Sequence, residues 1–161
     1  MNEQQYNQCV ELYADGLYRF IVKNIRDEFE ADNIIQNTFE KLWVKRDEVI
    51  YEKVKPYLFK VAYNNMIDVI RQSKKTVQMD VESHDKPAQY QEYSGLYEVL
   101  NKALERLPEK QRTVITLRDY EGYSYDEIAD IAGLSLEQVK VYIYRARLTL
   151  KQYIGNPEVL I

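Results

Sequence analysis

The chain has 161 residues, of which 45% are hydrophobic and 30% charged, and its formal net charge is −4. These proportions are typical of globular proteins, and no apolar run approaches the roughly 20 residues of a membrane helix. Only 5 glycines and 4 prolines are present to interrupt helices. We therefore expect a mostly helical protein, and because the N-terminus lacks the basic and then apolar order of a signal peptide, a cytoplasmic one.

Cysteine and histidine, which often carry catalysis or bind metals, occur once each. The single cysteine, Cys9, excludes an internal disulfide, and its place on an apolar helical stripe predicts burial. The single histidine, His84, has no second histidine or cysteine at ligand spacing, so we interpret it as a solvated loop residue. Since no glycine-rich phosphate loop or nucleophile elbow occurs, we expect no enzyme, no cofactor, no metal and no small-molecule substrate.

Three amphipathic helices are predicted in the first half of the chain. Apolar residues at a period of 3.6 predict a first helix over 3–25 and a second over about 30–46. A third helix is predicted over roughly 54–74, where Pro56 is tolerated because it lies in the first turn. The stripe of the second helix that we expect to be buried consists of Ile34, Ile35, Thr38, Phe39, Leu42 and Trp43.

A linker and a second helical block follow. Helical periodicity stops between Thr76 and about Ser94, where acidic residues, glutamines, serines and a proline predict a linker. Periodicity resumes near Leu96, and Pro108 is expected at the first position of a helix that stops at Gly122. The predicted fold is all-α, with two small helical domains joined by a flexible linker. Its expected boundaries are 1–76 for the N-terminal domain, 77–95 for the linker and 96–161 for the C-terminal domain.

The C-terminal block contains a predicted helix-turn-helix. Ser124 with Glu127 forms a capping box for a short helix that Gly133 terminates, and Ser135 with Gln138 repeats the device at once. The last helix then runs to about residue 154. The crossing of the two helices is expected to close around Ala129, Ile128, Ile131, Leu134, Val139 and Ile143.

The outer face of the last helix suits a DNA groove. Helical geometry turns Glu137, Gln138, Val141 and Arg145 away from the crossing, with Lys140, Tyr144 and Lys151 beside them. Early residues of such a helix reach base edges, and cations reach phosphates. The alternative is a helical hairpin with a solvated charged face. DNA binding is favoured because acidic residues stop at Glu137, whereas lysines and arginines continue along the helix.

Charge is unevenly distributed in spite of the acidic total. Residues 41–76 contain nine lysines and arginines against four acids, and residues 137–152 contain four against one. The excess acid lies outside these two segments, in part in the linker and the first helix. Two basic patches on an acidic chain indicate two surfaces for nucleic acid.

The C-terminal block resembles the promoter-reading domain of bacterial extracytoplasmic-function sigma factors over ALERLPEKQRTVITLRDYEGYSYDEIADIAGLSLEQVKVYIYRARLTLK. The N-terminal block resembles the same family through ADNIIQNTFEKLW and PYLFKVAYNNMIDVIRQSKK. The match covers about residues 10–154. It implies a transcription initiation factor that binds core RNA polymerase, reads and melts the −10 promoter element and docks on the −35 element.

The resemblance also assigns residues to these roles. The polymerase-binding face would be Asp32, Asn33, Gln36, Asn37 and Lys41, although the family prefers acids where this chain has Asn33 and Asn37. The −35 contacts would be Arg112, Arg118 and Lys140 at phosphates and Glu137, Gln138, Val141 and Arg145 at bases, with Tyr144 beside them. Where the family often has Ser-Arg, this chain has Val141, which suits a thymine methyl, and Tyr142 nearer the core side.

The third helix is expected to carry the −10 chemistry. Tyr57, Lys60, Asn64 and Arg71 line one polar stripe, which offers cations for phosphates, an aromatic face for stacking and an amide for a base edge. The loop at 48–55 matches the place where the family captures a flipped base. The alternative for Tyr57 and Asn64 is that they only complete helix packing.

The resemblance also implies a second protein partner, and two alternative functions stay open. Members of the family are commonly held inactive by an anti-sigma factor, often membrane-bound, and we expect such a partner here. The main alternative function is a helix-turn-helix regulator that binds DNA without polymerase. A helical interaction protein that binds no DNA is the third possibility. Neither alternative explains the polar stripe of the third helix and the outer face of the second helix in the N-terminal block.

Overall fold

The computed structural model describes residues 1–76 and 95–155, and within these ranges every regular element is a helix and no strand occurs. The helices are α1 (Glu3–Ile25), α2 (Glu28–Val44), α3 (Val54–Thr76), α4 (Gly95–Glu105), α5 (Glu109–Ile115), α6 (Tyr125–Ala132) and α7 (Leu136–Ile154). The all-α prediction is confirmed. All of the predicted linker except its last residue, together with His84, lies outside the described residues. Among the described helices, none is both long and apolar enough to cross a membrane.

Local hydrogen bonds fix several helix ends where the sequence places them. The Ser124 and Ser135 hydroxyls accept the backbone N–H groups of Glu127 and Gln138 at 3.2 and 3.1 Å, and both capping boxes are complete. Gly133 adopts φ 66°, which suits glycine because this left-handed conformation costs other residues energy. These predictions of the helix-turn-helix boundaries are confirmed.

The second helix begins two residues earlier than predicted. The Asp27 side chain accepts the Glu30 backbone N–H at 3.1 Å, so the helix starts at Glu28 and ends at Val44. Its predicted stripe is buried at Ile34, Thr38, Phe39 and Leu42, whereas Ile35 is partly buried and Trp43 is 38% exposed. The Trp43 ring lies edge-on to Tyr6, with centroids 4.9 Å apart, and carries the Arg46 guanidinium at 3.9 Å. The prediction that Trp43 belongs to the core was therefore wrong: its ring is only partly covered.

The helix predicted to begin with Pro108 and to stop at Gly122 is divided in two. Pro108 has an extended ψ of 151° and precedes α5, so it is a cap and does not form the first helical turn. From Thr116 to Tyr120 the chain widens into a π-helix, in which the Glu121 N–H donates to the Thr116 carbonyl at 3.2 Å. Glu121 directly follows this irregular segment.

The two helical blocks pack against each other. One apolar cluster of buried residues includes members of both, and the rings of Phe20, Phe59 and Tyr123 follow one another at 5.6 and 5.1 Å between centroids. The buried Asn24 Nδ2 donates to Thr116 Oγ1 at 3.0 Å, joining residues 92 positions apart. In this conformation α1 and α3 of the N-terminal block share one core with the C-terminal block.

An ion pair adds to the boundary between the blocks. Arg19 of α1 donates to both carboxylate oxygens of Glu121, at 2.8 and 2.9 Å. The Glu121 side chain is only 4% exposed, whereas Arg19 is 47% exposed. A bidentate contact with a nearly buried carboxylate has a defined geometry, unlike most surface ion pairs.

Candidate functional site

The predicted −10 stripe lies on the side of α3 that faces away from the N-terminal core. Lys60, Asn64 and Arg71 are exposed, and Tyr57 is half-buried at the first end of the stripe. The opposite side of α3 is buried at Val54, Leu58, Phe59, Val61, Ala62 and Met66. Burial raises the pKa of the Tyr57 hydroxyl. The stripe thus offers a neutral aromatic ring, an amide and two cations along one surface.

A pocket of about 480 Å³ adjoins the first end of this stripe. It is lined by Lys41, Lys45 and Lys53, by Glu48, whose carboxylate lies 3.5 Å from Lys45 Nζ, by Tyr57 and by the apolar Val49 and Ile50. A cavity with cations at its rim and an aromatic ring in its wall can hold an unstacked base while its phosphates pair with the lysines. Lys45 was absent from the residues predicted for this function, although the basic run from residue 41 onward was a signal for it.

The C-terminal block touches the stripe at one point. Lys60 Nζ lies 3.3 Å from Asp130 Oδ1 of α6, with both side chains largely exposed. Because the helices α3 and α6 are neighbours, the first helix of the helix-turn-helix stands beside the predicted −10 surface. No feature of the sequence indicated this contact, since it joins residues 70 positions apart.

The predicted −35 surface on α7 is exposed. Glu137, Lys140, Val141, Tyr144 and Arg145 all lie on the solvent side, and the opposite side is buried at Val139, Ile143 and Ala146. Tyr142 is partly buried against the core, as predicted from its position. The outer surface therefore combines cations with two exposed apolar side chains, Val141 at 43% and Tyr144 at 69%.

Gln138, one of the residues predicted to contact bases, already makes a hydrogen bond at the start of α7. The Gln138 side-chain oxygen accepts the Ser135 backbone N–H at 2.9 Å in the capping box. The amide group is thus tied to the start of the helix. Its remaining N–H donors are the groups that could reach a base edge.

The two predicted −35 arginines outside α7 point into the C-terminal block. Arg118 donates to the Tyr123 carbonyl at 2.8 Å and stacks over Tyr125 at 4.8 Å. Arg112 is half-buried beside a cleft of about 570 Å³ between the blocks, where burial lowers its pKa. In this conformation their guanidinium groups make contacts within the protein, unlike the exposed cations of α7.

The predicted polymerase-binding residues lie on the outer side of α2. Asp32, Asn33, Gln36 and Asn37 are exposed, whereas α1 and α3 cover the opposite side. Lys41 is exposed as well but lines the pocket next to α3. The structure brings the first four residues together on one face and places Lys41 with the candidate nucleic-acid surface.

Two family models match the chain, one for each block. The model described as Sigma-70 region 2 matches residues 9–76, and the model described as Sigma-70, region 4 matches residues 97–150. The two matches leave the predicted linker between them.

Relatives and solved structures match nearly the whole chain. ECF RNA polymerase sigma factor SigM of Bacillus subtilis is 29% identical over 90% of this chain and 92% of its own length. SigW of the same organism is 25% identical over 96% of this chain and 91% of its own length. Sigma factor RpoE, solved in complex with the anti-sigma factor NepR from Bartonella quintana, is 27% identical with a TM-score of 0.79, covering 94% of this chain and 98% of that one. CnrH, solved with the cytosolic domain of CnrY, is 25% identical with a TM-score of 0.74, covering 96% and 90%.

Proposed function

Because this chain belongs to the sigma-70 family, in its extracytoplasmic-function group, it is a promoter-specificity factor of RNA polymerase, and we propose that it recognises promoters through two separate surfaces. The α3 stripe with its adjoining pocket binds the melted −10 strand. The outer face of α7 docks in the major groove of the −35 element. The two blocks are separate functional domains joined by the segment between them.

The observation that carries this proposal is the different chemistry of the two surfaces. The α3 surface has an aromatic ring, an amide and a lysine-lined pocket, which suit unpaired bases and a single strand. The α7 surface is one convex helix with cations and apolar side chains, which suits a duplex groove. A regulator that binds only duplex DNA has no use for the first surface.

Simultaneous contact with both promoter elements requires the two blocks to separate. The element names place their centres about 25 base pairs apart, or roughly 85 Å of duplex. In the structure α6 packs against both α3 and α7, so the two surfaces lie within roughly two or three helix diameters, about 30 Å. The packed conformation is therefore the one adopted before promoter binding, and it opens when polymerase holds the two blocks apart.

Two protein partners complete the proposed function. Core RNA polymerase binds the outer face of α2, and an anti-sigma factor holds the chain inactive. The second partner is supported by the solved structures of RpoE and CnrH, each of which contains a protein that binds the sigma factor. The packed conformation offers such a partner surfaces of both blocks at once.

Run-off transcription tests the function as a whole. Core polymerase alone should give no specific transcripts, and adding this chain should give defined start sites on genomic promoter fragments. A chain that neither binds core polymerase nor directs initiation is not a promoter-specificity factor. A chain that shifts duplex DNA tightly without polymerase and gives no transcripts is a regulator of the helix-turn-helix type.

The variant Asn64→Ala tests the −10 surface. We expect core binding to be unchanged and open-complex formation, measured by permanganate reactivity of unpaired thymines, to fall about tenfold, since one amide contact to a base edge is lost. The matched control is Asn7→Ala, because Asn7 is an exposed asparagine on α1 away from the stripe. Loss of core binding in Asn64→Ala alone would show that Asn64 has a structural role.

A further inference from the structure

The outer face of α2 carries two large apolar side chains that the protein leaves uncovered. Phe29 is 72% exposed and Val44 is 76% exposed. Together with Asn33, Gln36 and Glu40 they stand at positions i, i+4, i+7, i+11 and i+15, which is one straight row along a helix. We call these five residues the α2 row. Its two apolar ends lie roughly 22 Å apart at 1.5 Å per residue.

The composition of the α2 row indicates a protein partner. Its middle is two amides and a single carboxylate, Glu40, so the row is nearly uncharged. A row whose only charge is negative would repel DNA phosphates, which require cations. Protein interfaces, by contrast, are depleted of charge at their centre and bury large apolar side chains.

The position of the row indicates that its partner is core RNA polymerase. It includes Asn33 and Gln36 of the predicted polymerase-binding face, and Asn33 stands where the family prefers an acid. With an amide there, less of the binding energy comes from charge attraction. The exposed Phe29 and Val44 supply apolar area at both ends of the same face.

We propose that Phe29 and Val44 are apolar anchors of the contact with core RNA polymerase, each filling an apolar depression on the polymerase surface. The inference rests on the proposed function. It goes further by adding two residues that the predicted polymerase face did not contain. It also adds apolar burial to a contact that was predicted from charged and amide side chains alone.

Competition binding tests the proposal. Unlabelled variants displace the full-length wild-type chain, labelled at its C-terminus, from core RNA polymerase. Phe29→Ala should raise Kd about tenfold, and Val44→Ala about threefold, in keeping with the loss of buried apolar area at a contact. Phe29→Gln, which keeps the side-chain length but not its apolar character, should behave like Phe29→Ala.

The control is another exposed apolar residue. Leu12 on α1 is 64% exposed and lies on a different helix, so Leu12→Ala should change Kd by less than about twofold. Circular dichroism should show the same helix content and melting temperature for all variants, since none of the three side chains is in the core.

Salt dependence separates apolar from ionic contacts. The fold loss in Phe29→Ala should be equal at about 50 and 300 mM salt, whereas the loss in Asp32→Asn should shrink as salt rises. The proposal fails if Phe29→Ala and Val44→Ala both bind core like the wild type, or if Leu12→Ala loses as much as they do. If the wild-type chain itself does not bind core, the proposed function fails instead.

Discussion

The two helices proposed to read DNA differ in how far their outer side chains are already in contact with the rest of the protein. On α3, Lys60 is paired with Asp130 of the other block and Tyr57 is half-buried. On α7, the cations Lys140 and Arg145 are exposed, and no hydrogen bond or ion pair within the described ranges ties them to the N-terminal block. The packed conformation therefore leaves the proposed duplex-reading surface open and partly occupies the proposed single-strand surface.

This difference indicates an order of events. The exposed face of α7 can meet duplex DNA without rearrangement, whereas a strand that pairs with Lys60 must first displace Asp130 of α6. Melted DNA exists only after polymerase has engaged the promoter, so a −10 surface that becomes available late suits its ligand. The contacts between the blocks decide how strictly this order is kept.

Removing the aromatic contact between the blocks should have the largest effect. Tyr123→Ala loses a side chain that is 3% exposed and packs on Phe59, and it should reduce the free energy of unfolding by about 3 kcal/mol. Urea unfolding followed by circular dichroism measures the change. A loss below about 1 kcal/mol would mean that the blocks are already apart in solution and that α3 is as free as α7.

A conservative variant at the same position provides the control. The Tyr123 hydroxyl is buried and has no hydrogen-bond partner in the part of the chain that the structure describes. Tyr123→Phe keeps the ring and removes this unpaired group, so stability should remain within about 0.5 kcal/mol of the wild type or rise.

The variant Arg145→Ala tests whether the outer face of α7 contacts bases. If Arg145 contacts a base, the variant holoenzyme should bind its −35 element less tightly by about 1 to 3 kcal/mol, with relaxed preference at one position. Electrophoretic mobility shifts with promoter variants measure both effects. Lys102→Ala removes another exposed cation, on α4, and should leave affinity almost unchanged. Equal losses by Arg145→Ala on every promoter sequence would make Arg145 a phosphate contact.

The ion pair between the blocks should have a smaller effect. Arg19→Ala leaves the nearly buried Glu121 carboxylate without its bidentate partner, which should cost about 1 kcal/mol and increase the fraction of open molecules. Energy transfer between dyes on the two blocks detects the opening. Arg147→Ala is the control, because Arg147 makes a similar two-bond contact with Asp119 inside one block. Equal opening in both variants would contradict a specific role for Arg19.

The smallest effect is expected at the exposed contact on α3. Asp130→Ala frees Lys60 and should change stability by less than about 0.5 kcal/mol, as for other exposed ion pairs. Binding of the free chain to a single-stranded −10 oligonucleotide should become slightly tighter, while binding to a −35 duplex should not change. Fluorescence anisotropy with the two DNAs makes the comparison. Weaker single-strand binding in Asp130→Ala would show that α6 supports the α3 surface.

The sequence by itself determined those features that depend on neighbouring residues. The starts of α6 and α7 follow from capping boxes that span four residues, the end of α6 follows from Gly133, and the buried sides of α1, α3 and α7 follow from apolar periodicity. The exposed positions of Asn64 and Arg145 follow from the same periodicity. Family resemblance then supplied the functions proposed for them.

Only the tertiary structure decided the features that join distant residues. The π-helix before Glu121, the pairing of Glu121 with Arg19 and the partial exposure of Trp43 depend on which surfaces meet. The inward positions of Arg112 and Arg118 involve carbonyls only five residues away, Leu107 and Tyr123, but neither helical periodicity nor capping predicts these contacts. Helical periodicity tells which side of a helix is buried, but the partner that covers it, and whether that partner also covers a functional residue, is set by packing between helices.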